Sequence, residues 1–191
     1  MNLTQYTEYM QTECSLQGNP ILTIEAIKVD GSDDNSLKKL LCDNSLKSCD
    51  YIKFTNNEIC FIEFSDFYEQ LSNLEKKYEE IETSNITFED IKYLQKRKLI
   101  ISPNNTVKIE IQNKIAETIL LYDLICTNCS VSEHEDKNKE FLICLCSITG
   151  QYSILFDNIL RELQKKFNLN ISIKMLIYSR LEHYINDRIS V

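Results

Sequence analysis

The segment Phe141 to Ile148, FLICLCSI, is the feature that most restricts how this chain folds. A strand with one face in water alternates apolar and polar residues, whereas this run is nearly all apolar. Such a run is typical of a central strand that is covered on both faces. The sequence therefore predicts a layered α/β protein, with helices on both sides of a mixed sheet.

The segments around this run alternate between strand-like and helical patterns. Ile21 to Val29 is rich in β-branched residues and lies between two turn signals, which predicts a strand. Apolar residues recur at helical spacing after Asp66 and again between Tyr152 and Phe167, and ISIKMLIYS after the second helix predicts a further strand. The expected order is helix, strands, helix, strand, helix, strand.

Three shorter predictions fall between the two amphipathic helices. Thr87 to Lys98, TFEDIKYLQKRK, has a helical pattern and ends on basic residues that suit a helix C-terminus. A short strand is expected around Leu99 to Ser102, followed by a turn at Pro103-Asn104-Asn105. The segment from Val107 to Cys126 begins with strand-like alternation and becomes helical.

The length and composition favour a single α/β domain. The chain has 191 residues, of which 43% are hydrophobic, enough for one well-filled core. Within it, we assign a core to about 21–148, a helical insertion to about 66–98 and a C-terminal helix-strand unit to about 151–185.

The segment Cys49 to Phe67, CDYIKFTNNEICFIEFSDF, predicts a β-hairpin with a carboxylate on each strand. If Asn56-Asn57 form the turn, Asp50 lies directly opposite Glu63, with Cβ atoms about 5 Å apart. Two facing carboxylates are destabilising unless one is protonated, a cation lies between them, or the strands splay at that end. Strand alternation also places Ser65 on their face of the sheet.

This hairpin resembles the PD-(D/E)XK superfamily of nucleases, which includes many restriction endonucleases and phage-defence nucleases. In that family an acidic residue on each of two strands holds a divalent cation, and a lysine two residues after the second helps to activate water. Asp50 and Glu63 match the two acidic positions, while Ser65 stands where the family has lysine. The resemblance implies a restriction-endonuclease-like core with a helical insertion.

The resemblance also implies a cofactor and a site. Asp50 and Glu63 would bind Mg²⁺ or Mn²⁺, since Mg²⁺ needs only one or two protein carboxylates together with water and phosphate. Some members of the family carry the lysine on a neighbouring element. Lys114, on the polar side of its helix with Glu117 and Thr118, is the candidate for that position. Without such a lysine, the site could hold a cation but would be poorly equipped to cleave.

A zinc site is a weaker alternative. Cys126, Cys129, Cys144 and Cys146, with His134 between the pairs, provide soft ligands in sufficient number. The second pair is one residue shorter than the usual spacing, and both of its members would lie on one face of a buried strand. Ordinary core packing of these cysteines is the favoured interpretation.

Other familiar chemistries find little support in the sequence. The two histidines, His134 and His183, have no nucleophile motif beside them. The three glycines, Gly18, Gly31 and Gly150, are far apart and form no phosphate-binding loop. Serine or cysteine hydrolases and the common nucleotide-binding proteins are therefore not favoured.

The helix after Asp66 carries an apolar stripe, composed of Phe67, Leu71, Leu74, Tyr78 and Ile81. The stripe could pack on the chain's own core or bind another subunit. Own-core packing is the simpler interpretation, but an inserted amphipathic helix also suits a subunit contact, with Phe67, Leu71, Leu74 and Tyr78 as partner-binding residues.

The net charge of −8 gives no field that would attract a polyanion, so nucleic-acid contact is expected to be local or through a partner. The N-terminus has no signal-peptide pattern and no apolar run could span a bilayer, which predicts a cytoplasmic protein without membrane partners.

Three functions follow as hypotheses. The leading one is a non-catalytic or weakly catalytic nuclease-fold subunit of a bacterial anti-phage or anti-plasmid defence complex, which binds a larger ATPase or nuclease subunit or a second copy of itself. The second is a Mg²⁺- or Mn²⁺-dependent DNA endonuclease. The third is a small acidic regulatory protein that binds a basic partner.

Overall fold

The strands form one six-stranded mixed sheet in which neighbours along the chain are neighbours in the sheet. The computed structural model describes residues 2–12, 20–31, 36–42, 46–83, 103–129, 137–146, 150–167 and 171–189. The strands are β1 (Thr7–Gln11), β2 (Ile21–Lys28), β3 (Tyr51–Phe54), β4 (Glu58–Ser65), β5 (Asn138–Leu145) and β6 (Ser172–Ile177). Pairing is antiparallel from β1 to β4 and parallel from β4 to β6.

Helices connect and cover these strands. The described helices are α1 (Leu37–Cys42), α2 (Phe67–Thr83), α3 (Pro103–Cys129), α4 (Gly150–Phe167) and α5 (Leu181–Ile189), with short 3₁₀ turns at Leu3–Tyr6 and Tyr178–Arg180. Since β4 and β5 are parallel neighbours, the chain must cross from one end of the sheet to the other between them, and α3 lies in that connection.

Apolar residues are buried on both faces of the sheet, which confirms the predicted α/β fold class. One face packs against α1 to α4 through residues such as Ile52, Phe61 and Phe141. The other face packs against α5 through residues such as Ile62 and Leu142. The central strand β5 is buried from Glu140 to its end, because neighbouring residues on it face opposite layers.

Three features of the described chain differ from the sequence predictions. Strand β1 and helix α5 were not expected, because both are short and only half apolar. The segment predicted to begin as a strand at Val107 is helical from Pro103 onward. The alternation of Val107, Ile109 and Ile111 in the sequence did not correspond to a strand. Val107 and Ile111 are buried while Ile109 is exposed, a burial pattern of helical and not strand period.

Some predictions lie outside the described residues. These are the helix at Thr87 to Lys98, the strand around Leu99 to Ser102, and the loop that contains His134. Within the described part of the chain, no helix has the length and apolar character needed to cross a membrane.

Helix α2 packs on the chain's own core. Leu71 is fully buried, and the partly buried Leu74 packs against the same apolar cluster. The side chains of Phe67 and Tyr78 lie outside the described set. The burial of Leu71 agrees with own-core packing, the simpler of the two interpretations of the stripe, because its surface is already covered.

We expect Leu71→Ala to lower the free energy of unfolding by about 2–5 kcal/mol, because it leaves a cavity in a filled core. The matched variant Leu74→Ala should cost less, since that side chain is only partly buried. Urea denaturation followed by circular dichroism measures both values. Wild-type stability of the Leu71 variant would reinstate the subunit-contact interpretation.

Candidate metal centre at the strand ends

A polar cleft of about 630 Å³ lies where β4 and β5 end and α2 begins. The carboxyl ends of parallel strands are a common place for ligand sites in α/β proteins. The residues that line this cleft are Thr12, Lys28, Asp30, Gly31, Asp50, Glu63, Phe64, Ser65, Asp66, Glu69, Gln70, Asn73, Lys114 and Cys146. The three residues predicted as a site from the sequence, Asp50, Glu63 and Lys114, are all among them.

The hairpin has the register that was predicted. Phe54 pairs with Ile59 and Ile52 pairs with Phe61, and the paired register ends with Tyr51 opposite Ile62. The predicted pairing of Asp50 with Glu63 falls just beyond it, since β3 begins at Tyr51. The amide of Thr55 donates to the carbonyl of Glu58 at 2.9 Å, which closes the two-residue turn at Asn56-Asn57. The predicted register is therefore confirmed for the paired residues, and both Asp50 and Glu63 line the cleft.

Asp50 is held in place by backbone hydrogen bonds on both sides. Its amide donates to the carbonyl of Ile62 at 3.0 Å, and its carbonyl accepts from the amide of Val29 at 2.9 Å. Its carboxylate Oδ2 accepts from the amide of Phe64 at 2.7 Å. Asp50 therefore joins β2, β3 and β4, and its position beside the cleft is fixed.

Glu63 is a buried carboxylate with one engaged oxygen. Only 2% of the residue is exposed, and Lys114 Nζ donates to its Oε1. The other oxygen, Oε2, is buried and has no hydrogen-bond partner. A buried carboxylate oxygen without a partner carries a desolvation cost that a proton or a bound cation would remove.

The ionisation of this pair reflects its burial. Burial and the negative charge of Asp50 raise the pKa of the Glu63 carboxyl well above its usual range, although Lys114 opposes the shift. Burial acts to lower the pKa of Lys114, but the charges of Glu63 and Asp50 outweigh it and the pKa is raised. Lys114 is therefore a fixed positive charge at neutral pH.

One face of α3 holds the residues that lead into the hairpin. Lys114 binds Glu63, the carboxylate of Glu117 accepts from the amide of Lys47, and Thr118 Oγ1 accepts from the amide of Cys49 at 2.9 Å. These positions are three and four residues apart, so they lie on adjacent turns of one helix face. The helix thus aims Lys114 at the carboxylate pair.

Glu140 provides an internal comparison on the neighbouring strand. It is also 2% exposed, but Lys174 binds its Oε1 at 2.6 Å and the hydroxyl of Tyr184 donates to its Oε2 at 2.7 Å. Both of its oxygens are therefore satisfied by protein groups. Both glutamates are buried and bound by a lysine, and of the two it is Glu63, in the cleft, that has an oxygen without a partner.

The residues present in the cleft fit a hard divalent cation. Carboxylate and amide oxygens are the ligands that Mg²⁺ and Mn²⁺ prefer, and the unpartnered Glu63 Oε2 is available as one of them. Asp50 and Glu63 would be the protein ligands of that cation, with water and phosphate completing its coordination.

A second group with metal-ligand chemistry lies elsewhere in the sheet. The ligand atoms of Glu58, Cys60 and Glu140 are within 4.8 Å of one another. Arg188 Nε binds Glu58 at 2.8 Å and Lys174 binds Glu140, so protein cations already neutralise both carboxylates. Burial raises the pKa of the Cys60 thiol to about 12, and this group is therefore a salt-bridge network.

The cysteines considered for zinc lie in different layers. Cys126 and Cys129 pack against the apolar cluster on the α1 to α4 side, whereas Cys144 belongs to the cluster on the α5 side. Cys146 follows β5 and lines the cleft. The sheet thus separates Cys144 from the first pair, and within the described chain the four thiols do not form one ligand group.

The sequence did not identify Asp66 and Gln70 as site residues. Asp66 caps α2, since its Oδ1 accepts from the amide of Glu69 at 3.1 Å. A signal was present, since Asp66 follows Glu63 by three residues and Gln70 lies one helical turn beyond Asp66 on the same face.

Comparisons of the chain with protein-family models, curated protein sequences and solved structures find no match. The fold and the cleft define a mixed-sheet α/β protein with paired acidic side chains at the ends of its central strands. Its function is therefore inferred from the chemistry of that cleft.

Proposed function

We propose that the protein is a Mg²⁺- or Mn²⁺-dependent endonuclease that hydrolyses phosphodiester bonds of DNA. The observation that carries the proposal is the incomplete environment of Glu63, a buried carboxylate with one oxygen bound by Lys114 and the other without a partner. With Asp50 beside it in an open cleft, this arrangement suits a cation and a phosphate together.

Each residue has a distinct part in this function. Asp50 and Glu63 would hold the cation, which when bound would supply positive charge at the phosphate and make a nearby water more acidic. Lys114, protonated at neutral pH, orients Glu63 and uses its remaining N–H donors to stabilise negative charge that develops on phosphate oxygens. Lys114 thus supplies the positive charge that the family places on a lysine at the position of Ser65.

The lining of the cleft favours a second candidate function. It contains five carboxylates and two lysines, a balance that repels a polyanion unless cations are bound. We therefore also propose the alternative of a non-catalytic subunit of a nucleic-acid-acting defence complex, in which a larger ATPase or nuclease partner provides the DNA contacts. The thiol form of the seven described cysteines supports a reducing, cytoplasmic setting for either function.

Cleavage of supercoiled plasmid tests the two functions against each other. We expect nicking or linearisation with Mn²⁺ or Mg²⁺ and none with EDTA. Glu63→Gln should abolish it, because the amide keeps an acceptor for Lys114 but loses the charge that binds the cation. The matched variant Glu140→Gln changes an equally buried glutamate outside the cleft and should retain cleavage.

Two outcomes would overturn the nuclease proposal. One is cleavage by Glu63→Gln at the wild-type rate, which would point to a contaminating nuclease. The other is intact plasmid with wild-type protein under every cation condition. In the second case, co-purification with a nuclease or an ATPase from the native host would support the subunit function.

A further inference from the structure

Three buried side-chain oxygens without hydrogen-bond partners lie around the cleft, and they come from Glu63, Asp66 and Gln70. Leaving such a group unpaired is destabilising, and more so when the group is charged. Three such oxygens around one cleft indicate a ligand that contacts all of them. Each is a hydrogen-bond acceptor oxygen, so the ligand must be a cation or a hydrogen-bond donor.

The start of α2 fixes two of these oxygens. Asp66 caps the helix with Oδ1, which leaves Oδ2 as the unpartnered atom. The amide of Gln70 donates to the carbonyl of Asp66 at 3.0 Å, so the two side chains are one turn apart on a formed helix. The pair is therefore preorganised, and α2 is anchored to the core by Leu71 beside it.

The charge of the lining indicates how many cations the cleft needs. Five carboxylates and two lysines give a net charge of −3 when all of these groups are ionised. One divalent cation leaves the lining negative, whereas two make it positive and able to attract a phosphodiester. The helix N-terminus opposes a cation only weakly compared with the attraction of the carboxylates.

We propose that Asp66 and Gln70 bind a second divalent cation, with Glu63 as the carboxylate shared between the two cation sites. The inference rests on the proposed function, which assigns the first cation to Asp50 and Glu63. Glu63 is almost completely buried, and the unpartnered oxygens of Asp66 and Gln70 are buried as well, which distinguishes this site from a surface cluster of acids. The ligands are all oxygens, so the cation is hard, as Mg²⁺ and Mn²⁺ are.

Titration with Mn²⁺ followed by electron paramagnetic resonance of the free ion counts the sites. Wild-type protein should bind two Mn²⁺ per chain, with broadening of the bound signal from the neighbouring ion. The double variant Asp66→Asn, Gln70→Leu should bind one and lose the broadening, and its plasmid cleavage should fall at least about tenfold. Asn keeps an oxygen that can cap α2.

A control and a second variant keep the test decisive. Gln112→Leu removes a glutamine that binds Lys166 at 2.9 Å on the exposed side of α3, and it should retain two Mn²⁺. If circular dichroism shows that the double variant is unfolded, Gln70→Leu alone replaces it, with weaker binding of the second ion as the expected result.

The outcomes separate this inference from the proposed function. One Mn²⁺ per chain in the wild type, with cleavage intact, overturns the second site alone. No bound Mn²⁺ overturns both. Two Mn²⁺ in the double variant, or in the folded Gln70→Leu variant with unchanged affinity, show that the second ion lies elsewhere and also overturn the inference.

Discussion

Replacing Lys114 with methionine is expected to lower the rate of Mn²⁺-dependent plasmid cleavage by about 10²–10³-fold, while Mn²⁺ binding persists. Methionine has a similar length but no charge, so it removes the ammonium group that binds Glu63 and that would face a bound phosphate. The measurement is the single-turnover cleavage rate, together with the Mn²⁺ stoichiometry. A wild-type rate in this variant would contradict the role of Lys114.

Two companion variants make this prediction specific. Lys108→Met removes another lysine of α3, which binds Glu162 at 2.8 Å away from the cleft, and should leave the rate unchanged. Ser65→Lys in the Lys114→Met background returns a lysine to the position that the family resemblance implies. Since Ser65 also lines the cleft, we expect recovery of at least about tenfold, which a merely structural role of Lys114 would not give.

Saturating Mn²⁺ is expected to raise the melting temperature by about 5–10 °C near pH 8, and much less near pH 5.5. The cation needs the ionised Glu63 carboxylate, and the raised pKa of that carboxyl means that a proton competes with the cation at lower pH. Differential scanning calorimetry at both pH values measures the effect, and Glu63→Gln should lose most of it.

In the absence of cations, Glu63→Gln is expected to change the stability in the opposite direction. An unfolded glutamate releases its proton at about pH 4.3, whereas folded Glu63 holds its proton to higher pH. The contribution of Glu63 to stability therefore falls as the pH rises from the unfolded pKa through the raised folded pKa. The Glu63→Gln variant does not lose stability in this way, because glutamine has no proton to release. Without Mn²⁺ the wild type should therefore lose stability relative to the variant as the pH rises, and a parallel pH dependence would contradict the assigned shift.

Much of the sheet could be predicted from local patterns. The β-branched run gave β2, the Asn56-Asn57 turn gave the register of β3 and β4, and the apolar run gave β5. Helix α3 was predicted only in part, because Val107 and Ile111 are compatible with both strand and helical periods. Short elements such as β1 and α5 depend on the core they cover, which a local pattern does not report.

The candidate site was predicted in part. The hairpin register predicts that Asp50 and Glu63 lie near each other, because Asp50 directly precedes the paired residues of β3. Lys114 was named only through a family resemblance, since no local pattern brings a helix residue 51 positions away to a strand. Asp66 and Gln70 were not recognised, because capping explains the first and helix solvation explains the second.

The sequence by itself determined a layered α/β protein whose hairpin sets two carboxylates on one face, because side-chain alternation and turn chemistry are properties of neighbouring residues. Only the tertiary structure decided that Glu140 is fully satisfied while Glu63 keeps one oxygen without a partner. That difference depends on which distant residues meet each glutamate, Lys114 of α3 for Glu63 but Lys174 of β6 and Tyr184 of α5 for Glu140. The desolvation of a carboxylate follows from its surroundings in space.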